Sequence, residues 1–98
     1  MALQIIWTET AGEDLREIVV FIAQDNRQAA VKLAQTVFEH IERAAQLPQS
    51  NRIVPEKSDE SIREAILKPY RIIYQIDDAR EAITVLRIWH GFRGIPEI

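Results

Sequence analysis

Apolar residues recur at helical spacing in the first half of the chain and at extended spacing in the second half. The first helical stripe consists of Ala11, Leu15, Ile18 and Ile22. It predicts an amphipathic helix that ends near Asp25–Asn26 and has Thr8 or Thr10 as its N-cap. Thr10 and Glu13 have the spacing of a capping box, in which each side chain satisfies a backbone N–H of the other.

A second helix is predicted from Arg27, and Pro48 stops it after Leu47 because proline cannot continue the helical hydrogen bonding. Its apolar positions are Ala30, Leu33, Ala34, Val37, Ile41 and Ala44. Only two or three residues separate the two helices, so they form an antiparallel hairpin. The combined apolar side of that hairpin needs a sheet to cover.

The extended pattern predicts a first strand over Leu3–Trp7 and three more strands between Arg63 and Arg93. Turns at Lys68–Pro69 and Asp77–Arg80 separate the last three, and connections this short make neighbouring strands antiparallel. Alternation puts Tyr70, Ile72, Tyr74 and Ile76 on one face of their strand, and Arg71, Ile73 and Gln75 on the other. The last strand, Ala82–His90, is apolar at nearly every position and is predicted to be covered on both sides.

The segment 48–61 is polar, contains two prolines and is predicted to lack regular structure. The chain is therefore predicted to be a single α+β domain over residues 1–98. It comprises an N-terminal strand, an antiparallel helical hairpin and a three-stranded antiparallel meander, with the helices packed on one sheet face.

Composition narrows the candidate chemistry. The 98 residues include no cysteine, which excludes disulfides, thiolate metal sites and a cysteine nucleophile. The only histidines, His40 and His90, have no carboxylates at metal-ligand spacing around them, so neither a metal nor another cofactor is predicted. No window resembles a signal peptide or a membrane span, so we expect a cytoplasmic protein. The net charge of −3 requires any nucleic-acid role to depend on a local basic patch.

An ordered set of short motifs resembles the RelE/ParE superfamily of bacterial toxins. The set comprises Ile6-Trp7-Thr8, Ala11–Leu15, Ile22–Asp25, Val54-Pro55-Glu56, Arg63-Glu64, Tyr70–Tyr74 and His90–Arg93. The resemblance implies the toxin of a two-gene toxin–antitoxin or plasmid-stabilisation locus. It also implies an antitoxin that wraps the toxin and holds it inactive. The predicted partners are this antitoxin, in a hetero-oligomer, and either the ribosome with mRNA or DNA gyrase, with no membrane involved.

Two mechanisms occur in this superfamily, and the residues lead us to predict ribosome-dependent mRNA cleavage first. By resemblance to the YoeB branch, Glu56 is the base, Arg71 the phosphate clamp and His90 the acid. Arg93 resembles a second phosphate-binding arginine, and Arg52, which lies in the same polar segment as Glu56, is also predicted to bind phosphate or RNA. Against cleavage, Glu64 and Ile66 stand where RelE has lysines, and Gly91 replaces the YoeB tyrosine. The alternatives are a ParE-like gyrase poison without catalytic activity and a degenerate co-repressor that only binds its antitoxin.

Each candidate residue also has a structural interpretation. Arg71 could pair with Asp14 or Glu64, and His90 could be a hydrogen-bonded structural residue. Arg71 and His90 share a sheet face only if strand register and any bulge allow it, and neither can be determined from one sequence. Trp89 and Phe92 are predicted either to pack or to offer an aromatic anchor to the antitoxin.

Overall fold

The structure, a computed structural model, describes residues 2–98. Its elements are β1 (Gln4–Trp7), α1 (Glu9–Ala23), α2 (Arg27–Gln46), β2 (Arg52–Ile53), β3 (Ile62–Leu67), β4 (Tyr70–Asp77), β5 (Ala82–His90) and a 3₁₀ turn (Gly91–Arg93). The strands form one sheet in the order β1-β5-β4-β3-β2. β1 pairs with β5 in parallel, and all other pairs are antiparallel. The predicted α+β class, helical hairpin and meander are confirmed.

Two local predictions, the irregular segment 48–61 and the capping box of Thr10 and Glu13, need correction, whereas Thr8 is one of the two predicted N-caps. The segment 48–61 is not without regular structure, because Arg52 and Ile53 form β2, opposite Glu64 and Arg63 of β3. Two residues are too few for alternation to be visible in the sequence. The N-cap of α1 is Thr8, whose Oγ1 accepts a hydrogen bond from the Ala11 N–H at 3.0 Å.

Thr10, the proposed capping-box residue, lies inside α1. The cap falls at Thr8 because its own backbone N–H still bonds to Val85 of the sheet, so the chain leaves the sheet at that residue. Helix α1 therefore begins immediately beside β5.

The sheet has two differently covered faces, which we call the helix face and the outer face. On the helix face, α1 and α2 bury an apolar cluster that includes Ile72, Tyr74, Ile83, Val85 and Ile88. The outer face carries a smaller cluster of Val54, Ile62, Ile73 and Trp89. The predicted alternation along β4 is confirmed, since Ile72 and Ile73 are both fully buried but belong to different clusters.

A β-bulge between β4 and β5 determines which side chains share a face. Ile73 lies opposite Arg87 and Tyr74 lies opposite Val85, so Leu86 is the additional residue. Beyond this point, the alternation of β5 is inverted. Trp89 consequently lies on the outer face, and Ile88 and His90 lie on the helix face.

Candidate functional site

The predicted site residue Arg71 lies on the outer face, where two glutamates hold its guanidinium. Its Nη2 and Nη1 donate to the two carboxylate oxygens of Glu56 at 2.7 and 3.1 Å, and its Nε donates to Glu64 at 2.6 Å. The side chain is only 13% exposed. Hydrogen bonding to Glu56 is the largest cause of a raised pKa for Arg71. Arg71 is therefore a permanently charged cation with two carboxylate partners.

Glu64 lies at the centre of this cluster and is the most buried charged residue of the chain's described part, with 1% exposure. It accepts from Arg71 through one oxygen and from Arg52 of β2 through the other. Burying a carboxylate is costly unless it is paired and hydrogen-bonded, and both of its oxygens are. Of the two partners considered from the sequence for Arg71, the structure therefore selects Glu64 and not Asp14.

The predicted base, Glu56, lies in the segment after β2 and reaches back over the sheet to Arg71. The hydrogen bond from Arg71 is the main reason that the pKa of Glu56 lies below its usual value. A carboxylate with a lowered pKa holds a proton less readily, so it is a weaker general base near neutral pH. Arg52, Arg71, Glu56 and Glu64 together carry a formal charge of zero.

His90, the predicted acid, does not join this cluster. It lies opposite Tyr70 on β4, and the two rings meet edge to face with centroids 5.3 Å apart. Arg71 lies opposite Trp89 instead. Directly opposed residues point to the same side of a sheet, so His90 and Arg71 point to opposite sides. The His90 Nδ1 accepts a hydrogen bond from the Phe92 N–H at 3.2 Å, which caps the 3₁₀ turn.

Arg93 and Trp89 form a second feature of the outer face. The Arg93 guanidinium lies 4.6 Å from the Trp89 ring centre, and that of Arg87 lies 5.0 Å from it. The Trp89 Nε1 donates to the Gly94 carbonyl, and Arg87 donates to the Glu97 carbonyl. These contacts hold the last residues of the chain over the sheet.

The two residues predicted to bind an antitoxin are in contrasting environments. Trp89 is 2% exposed, whereas Phe92 is 89% exposed. Phe92 is thus accessible to a partner in this conformation, and Trp89 is not.

Asp14 and Arg87 form a separate ion pair, which was not predicted from the sequence. Asp14 accepts two hydrogen bonds from the Arg87 guanidinium, at 2.8 and 3.0 Å, and a third from the Ile88 N–H at 3.1 Å. The bond to Asp14 is the main cause of a raised pKa for Arg87. This pair fastens α1 to β5 where β1 ends. An arginine in an otherwise apolar strand was the available signal, since such a residue requires a partner.

Glu64 was considered from the sequence only as a possible partner, and its central position was missed. A single carboxylate in the apolar strand Ile62–Leu67 was the signal for it.

No group of three or more histidine or acidic residues within residues 2–98 is arranged to hold a metal ion. None of the helices in this range is long and apolar enough to cross a membrane. The cluster of Arg52, Arg71, Glu56 and Glu64 is suited to holding the outer face together and to presenting the exposed residues around the cluster.

Comparison with known proteins identifies the family. Residues 5–93 match the model of the ParE toxin of the type II toxin–antitoxin system parDE. No curated protein matches the chain. The chain belongs to the ParE toxin family, and it is the toxin of a type II toxin–antitoxin system. Its partner in such a system is an antitoxin.

Solved structures confirm the fold. The chromosomal ParDE system from P. aeruginosa matches with a TM-score of 0.71 and 21% identity, covering 91% of this chain and 96% of that one. The RelBE2 complex from Mycobacterium tuberculosis matches at 0.60 and 20% identity, over 92% and 99%. A free mutant of E. coli toxin RelE matches at 0.62 and 16% identity, over 96% and 88%.

Proposed function

We propose that this toxin acts by binding DNA gyrase and does not itself cleave mRNA. The observation that supports this most is the pairing of Arg71 with both Glu56 and Glu64. A phosphate clamp must offer positive charge to the strained phosphate of the transition state. Arg71 lies in a cluster of zero net charge, so a phosphate would have to displace a carboxylate that already holds the guanidinium at two atoms.

Two further observations support a binding mechanism. Because the pKa of Glu56 is lowered by Arg71, the residue matched to the general base is poorly suited to take a proton. The ring matched to the general acid, His90, meets Tyr70 edge to face on the other side of the sheet. A binding toxin needs only a complementary surface, and it tolerates this arrangement.

Ribosome-dependent mRNA cleavage, the leading prediction from the sequence, is the second candidate. It is supported by the direct contact of Glu56 with Arg71, which brings two of the three residues matched to the YoeB branch within 2.7 Å. It requires that the ribosome or its RNA separate this pair and reorient His90, which points to the other side of the sheet. We include a cytoplasmic location and a hetero-oligomer with the antitoxin in either proposal.

The test measures both activities in the same cells. The toxin is induced without its antitoxin, and samples are taken within minutes for primer extension on an abundant reporter mRNA and for plasmid supercoiling. A toxin that binds gyrase leaves the reporter mRNA intact and changes the distribution of plasmid topoisomers. The purified toxin should also inhibit supercoiling by purified gyrase. New mRNA ends within translated codons, with unchanged topoisomers, would overturn the proposal.

The variant that separates the two candidates is His90→Gln, with His40→Gln on α2 as its matched control. Under the gyrase proposal, both variants arrest growth as the original chain does. Under the cleavage alternative, only His90→Gln loses toxicity while remaining folded. The third alternative, a degenerate co-repressor, is supported instead if cells tolerate high levels of the folded original chain.

A further inference from the structure

Two arginines of the outer face share one buried carboxylate. The Nε atoms of Arg52 and Arg71 donate to the two oxygens of Glu64, whose side chain has no exposed surface. Because each guanidinium is held through Nε, its two terminal nitrogens remain for another partner. Within residues 2–98 the terminal nitrogens of Arg52 have no hydrogen-bond partner, and its side chain is 57% exposed. Glu64 therefore orients two guanidinium groups that can each bind a further anion.

Glu56 takes the place of such an anion on Arg71. Its two carboxylate oxygens accept from Nη2 and Nη1, which is the paired geometry that a guanidinium forms with a planar carboxylate. Unlike Glu64, Glu56 has a partly exposed side chain, at 29%. It is also the only member of the exposed segment 55–58 that bonds to the sheet. Glu56 can therefore exchange Arg71 for water at little cost, whereas Glu64 cannot.

Positive charge is in excess around this pair. Trp89 lies directly opposite Arg71, and the exposed Arg93 lies over the Trp89 ring. Neither Arg93 nor the exposed Lys68 of the neighbouring turn forms an ion pair within the described residues. The charged groups at this end of the outer face are the cations Arg52, Lys68, Arg71 and Arg93 and the carboxylates Glu56 and Glu64.

Other carboxylates of the outer face have cations of their own. Asp14 pairs with Arg87, and the exposed Glu97 lies beside the same arginine, which donates to its carbonyl. A separate cavity at the start of β3 is lined by the charged residues Lys57, Asp59, Glu60, Arg63 and Asp78. From that start, β3 extends about 13 Å to Ile66, the residue opposite Arg71. The surface around Arg71 is therefore basic.

We propose that this end of the outer face is a carboxylate-exchange site, at which an acidic segment of gyrase places an Asp or Glu side chain on Arg71 in the position of Glu56. Arg52 and Arg93 bind neighbouring carboxylates of the same segment. One carboxylate replaces another, so Arg71 stays paired, and the contacts to the flanking arginines favour the incoming segment. The inference rests on the proposed binding of gyrase and identifies the surface that the toxin uses for it.

Two observations favour a protein carboxylate over a nucleic-acid phosphate as the ligand. The terminal nitrogens of Arg71 already hold a planar carboxylate at both oxygens, in a cluster without net charge. Ile66, which is 41% exposed, lies opposite Arg71 on the outer face. A peptide can pack an apolar side chain against Ile66 beside its acidic residue, whereas a phosphate backbone gains nothing from that contact.

Glu56→Gln tests the exchange as a gain of affinity. The probe is purified gyrase without DNA, and titration calorimetry measures the dissociation constant. Glutamine turns a donor towards the donors of Arg71, so the internal competitor is lost and binding should tighten about fivefold. Glu60→Gln is the matched control, because Glu60 is an exposed glutamate of the same segment without an ion pair among the described residues. Equal tightening in both variants, or none in Glu56→Gln, would overturn the exchange.

Arg93→Gln tests the flanking cation. Arg93 has no carboxylate partner within the described residues, so its loss should leave the fold intact and weaken gyrase binding about fivefold. Arg27→Gln, at the start of α2, removes an equally exposed and unpaired arginine away from the outer face. It should change the dissociation constant less than twofold. Equal losses would show that only the overall charge of the toxin matters, and the site would be wrong.

A hexaglutamate peptide tests the same site without gyrase. In ¹⁵N NMR titrations, the Nε–H signals of Arg71 and Arg93 should shift and reach saturation. The Arg87 Nε–H, which donates to Asp14 and is as little exposed as Arg71, is the internal reference and should stay unchanged. An Arg71 signal that does not move, or one that moves together with that of Arg87, would contradict the site.

The outcomes separate this inference from the proposal on which it rests. If gyrase binds the original chain and the four variants alike, the exchange site is wrong and the gyrase proposal stands. If hexaglutamate shifts the Arg71 signal but gyrase neither binds nor is inhibited, the gyrase proposal fails and the inferred partner with it. If binding of gyrase requires DNA and is then weakened by Arg93→Gln, the ligand is a phosphate and the carboxylate assignment is wrong.

Discussion

The two faces of the sheet bury similar side chains by different means. On the helix face, apolar residues from α1 and α2 cover Ile72 and its neighbours. On the outer face, the segment 54–61 and the last residues of the chain supply the cover. An ion pair between Glu56 and Arg71 holds the segment, and hydrogen bonds from Arg87 and Trp89 to backbone carbonyls hold the last residues. The helix face is stabilised mainly by apolar burial, whereas the outer face depends on charged residues that satisfy one another.

This difference changes the interpretation of the conspicuous charged residues. Glu56, Arg71 and Arg93 stood out in the sequence as candidates for chemistry. In the structure, Glu56 and Arg71 bond to each other, and Arg93 stacks on Trp89 beneath the end of the chain. Each therefore has a structural partner, and a functional role would have to compete with that contact. The comparison can be tested by substitutions on the two faces.

The largest effect is expected from Ile72→Ala, with Ile73→Ala as its matched partner on the other face. Both isoleucines are fully buried neighbours in β4. Removing Ile72 leaves a cavity between two rigid layers, and we expect a loss of about 4 kcal/mol in the free energy of unfolding. Around Ile73 the covering segment can relax into the space, so the expected loss is about 2.5 kcal/mol.

Urea denaturation of both variants measures this difference. Equal losses would mean that the cover of the outer face is as rigid as the helices. A larger loss for Ile73→Ala would reverse the comparison.

Arg71→Met should lower the free energy of unfolding by about 3 kcal/mol, because it removes one of the two cations that bond to the buried Glu64. The double variant Arg71→Met with Glu64→Met should recover most of this loss, since it removes the buried charge as well. A double-mutant cycle by urea denaturation gives the coupling. If the losses of the single variants Arg71→Met and Glu64→Met add up in the double variant, the buried Glu64 does not depend on Arg71.

The helix face could be predicted from the sequence because it follows from local periodicity. The alternation of Tyr70, Ile72, Tyr74 and Ile76 identified the buried side of β4. Ile72 and Tyr74 lie in the apolar cluster beneath the helices, and Tyr70 and Ile76 pack against it. Both helices were predicted to within a few residues for the same reason. Amphipathic spacing can be recognised within one short segment, without knowing which distant residues contact it.

The candidate site could not be predicted, because it depends on register between strands. One additional residue at Leu86 inverts the alternation of β5, so His90 points away from Arg71; without the bulge, the two would share a face. The hydrogen bonds that Glu64 accepts from Arg52 and Arg71 likewise join three strands. The sequence indicated that Arg71 needs a partner but could not choose between Asp14 and Glu64.

Asp14→Asn should lower the free energy of unfolding by about 2 kcal/mol. This loss is smaller than that expected for Arg71→Met, because Arg87 keeps its contact with Trp89 and its hydrogen bond to Glu97. The amide removes the charge that Arg87 pairs with, and one of its two terminal atoms is a donor facing other donors. Thermal unfolding measures the loss. Glu13→Gln is the control on the same helix, where an exposed pair with Arg16 is expected to contribute nothing measurable. If the two variants behave alike, the Asp14 pair does not fasten α1 to the sheet.

The smallest effect is expected from Glu56→Gln, which should lower the free energy of unfolding by about 1 kcal/mol at pH 7, because the pair of Glu56 with Arg71 is partly exposed to solvent. Arg71 lowers the pKa of Glu56 from the ordinary value of 4.5, so folding favours the ionised form. Its contribution is therefore complete above pH 4.5 and is lost as the pH falls through the lowered value.

The difference in urea unfolding midpoint between the original chain and Glu56→Gln should shrink as the pH is lowered from neutral to strongly acidic. If the difference between the original chain and Glu56→Gln persists unchanged in acid, the Glu56 carboxylate does not hold its segment through charge. The two faces would then differ less than the ion pairs suggest, and Arg71 would be freer to meet a phosphate than the gyrase proposal allows.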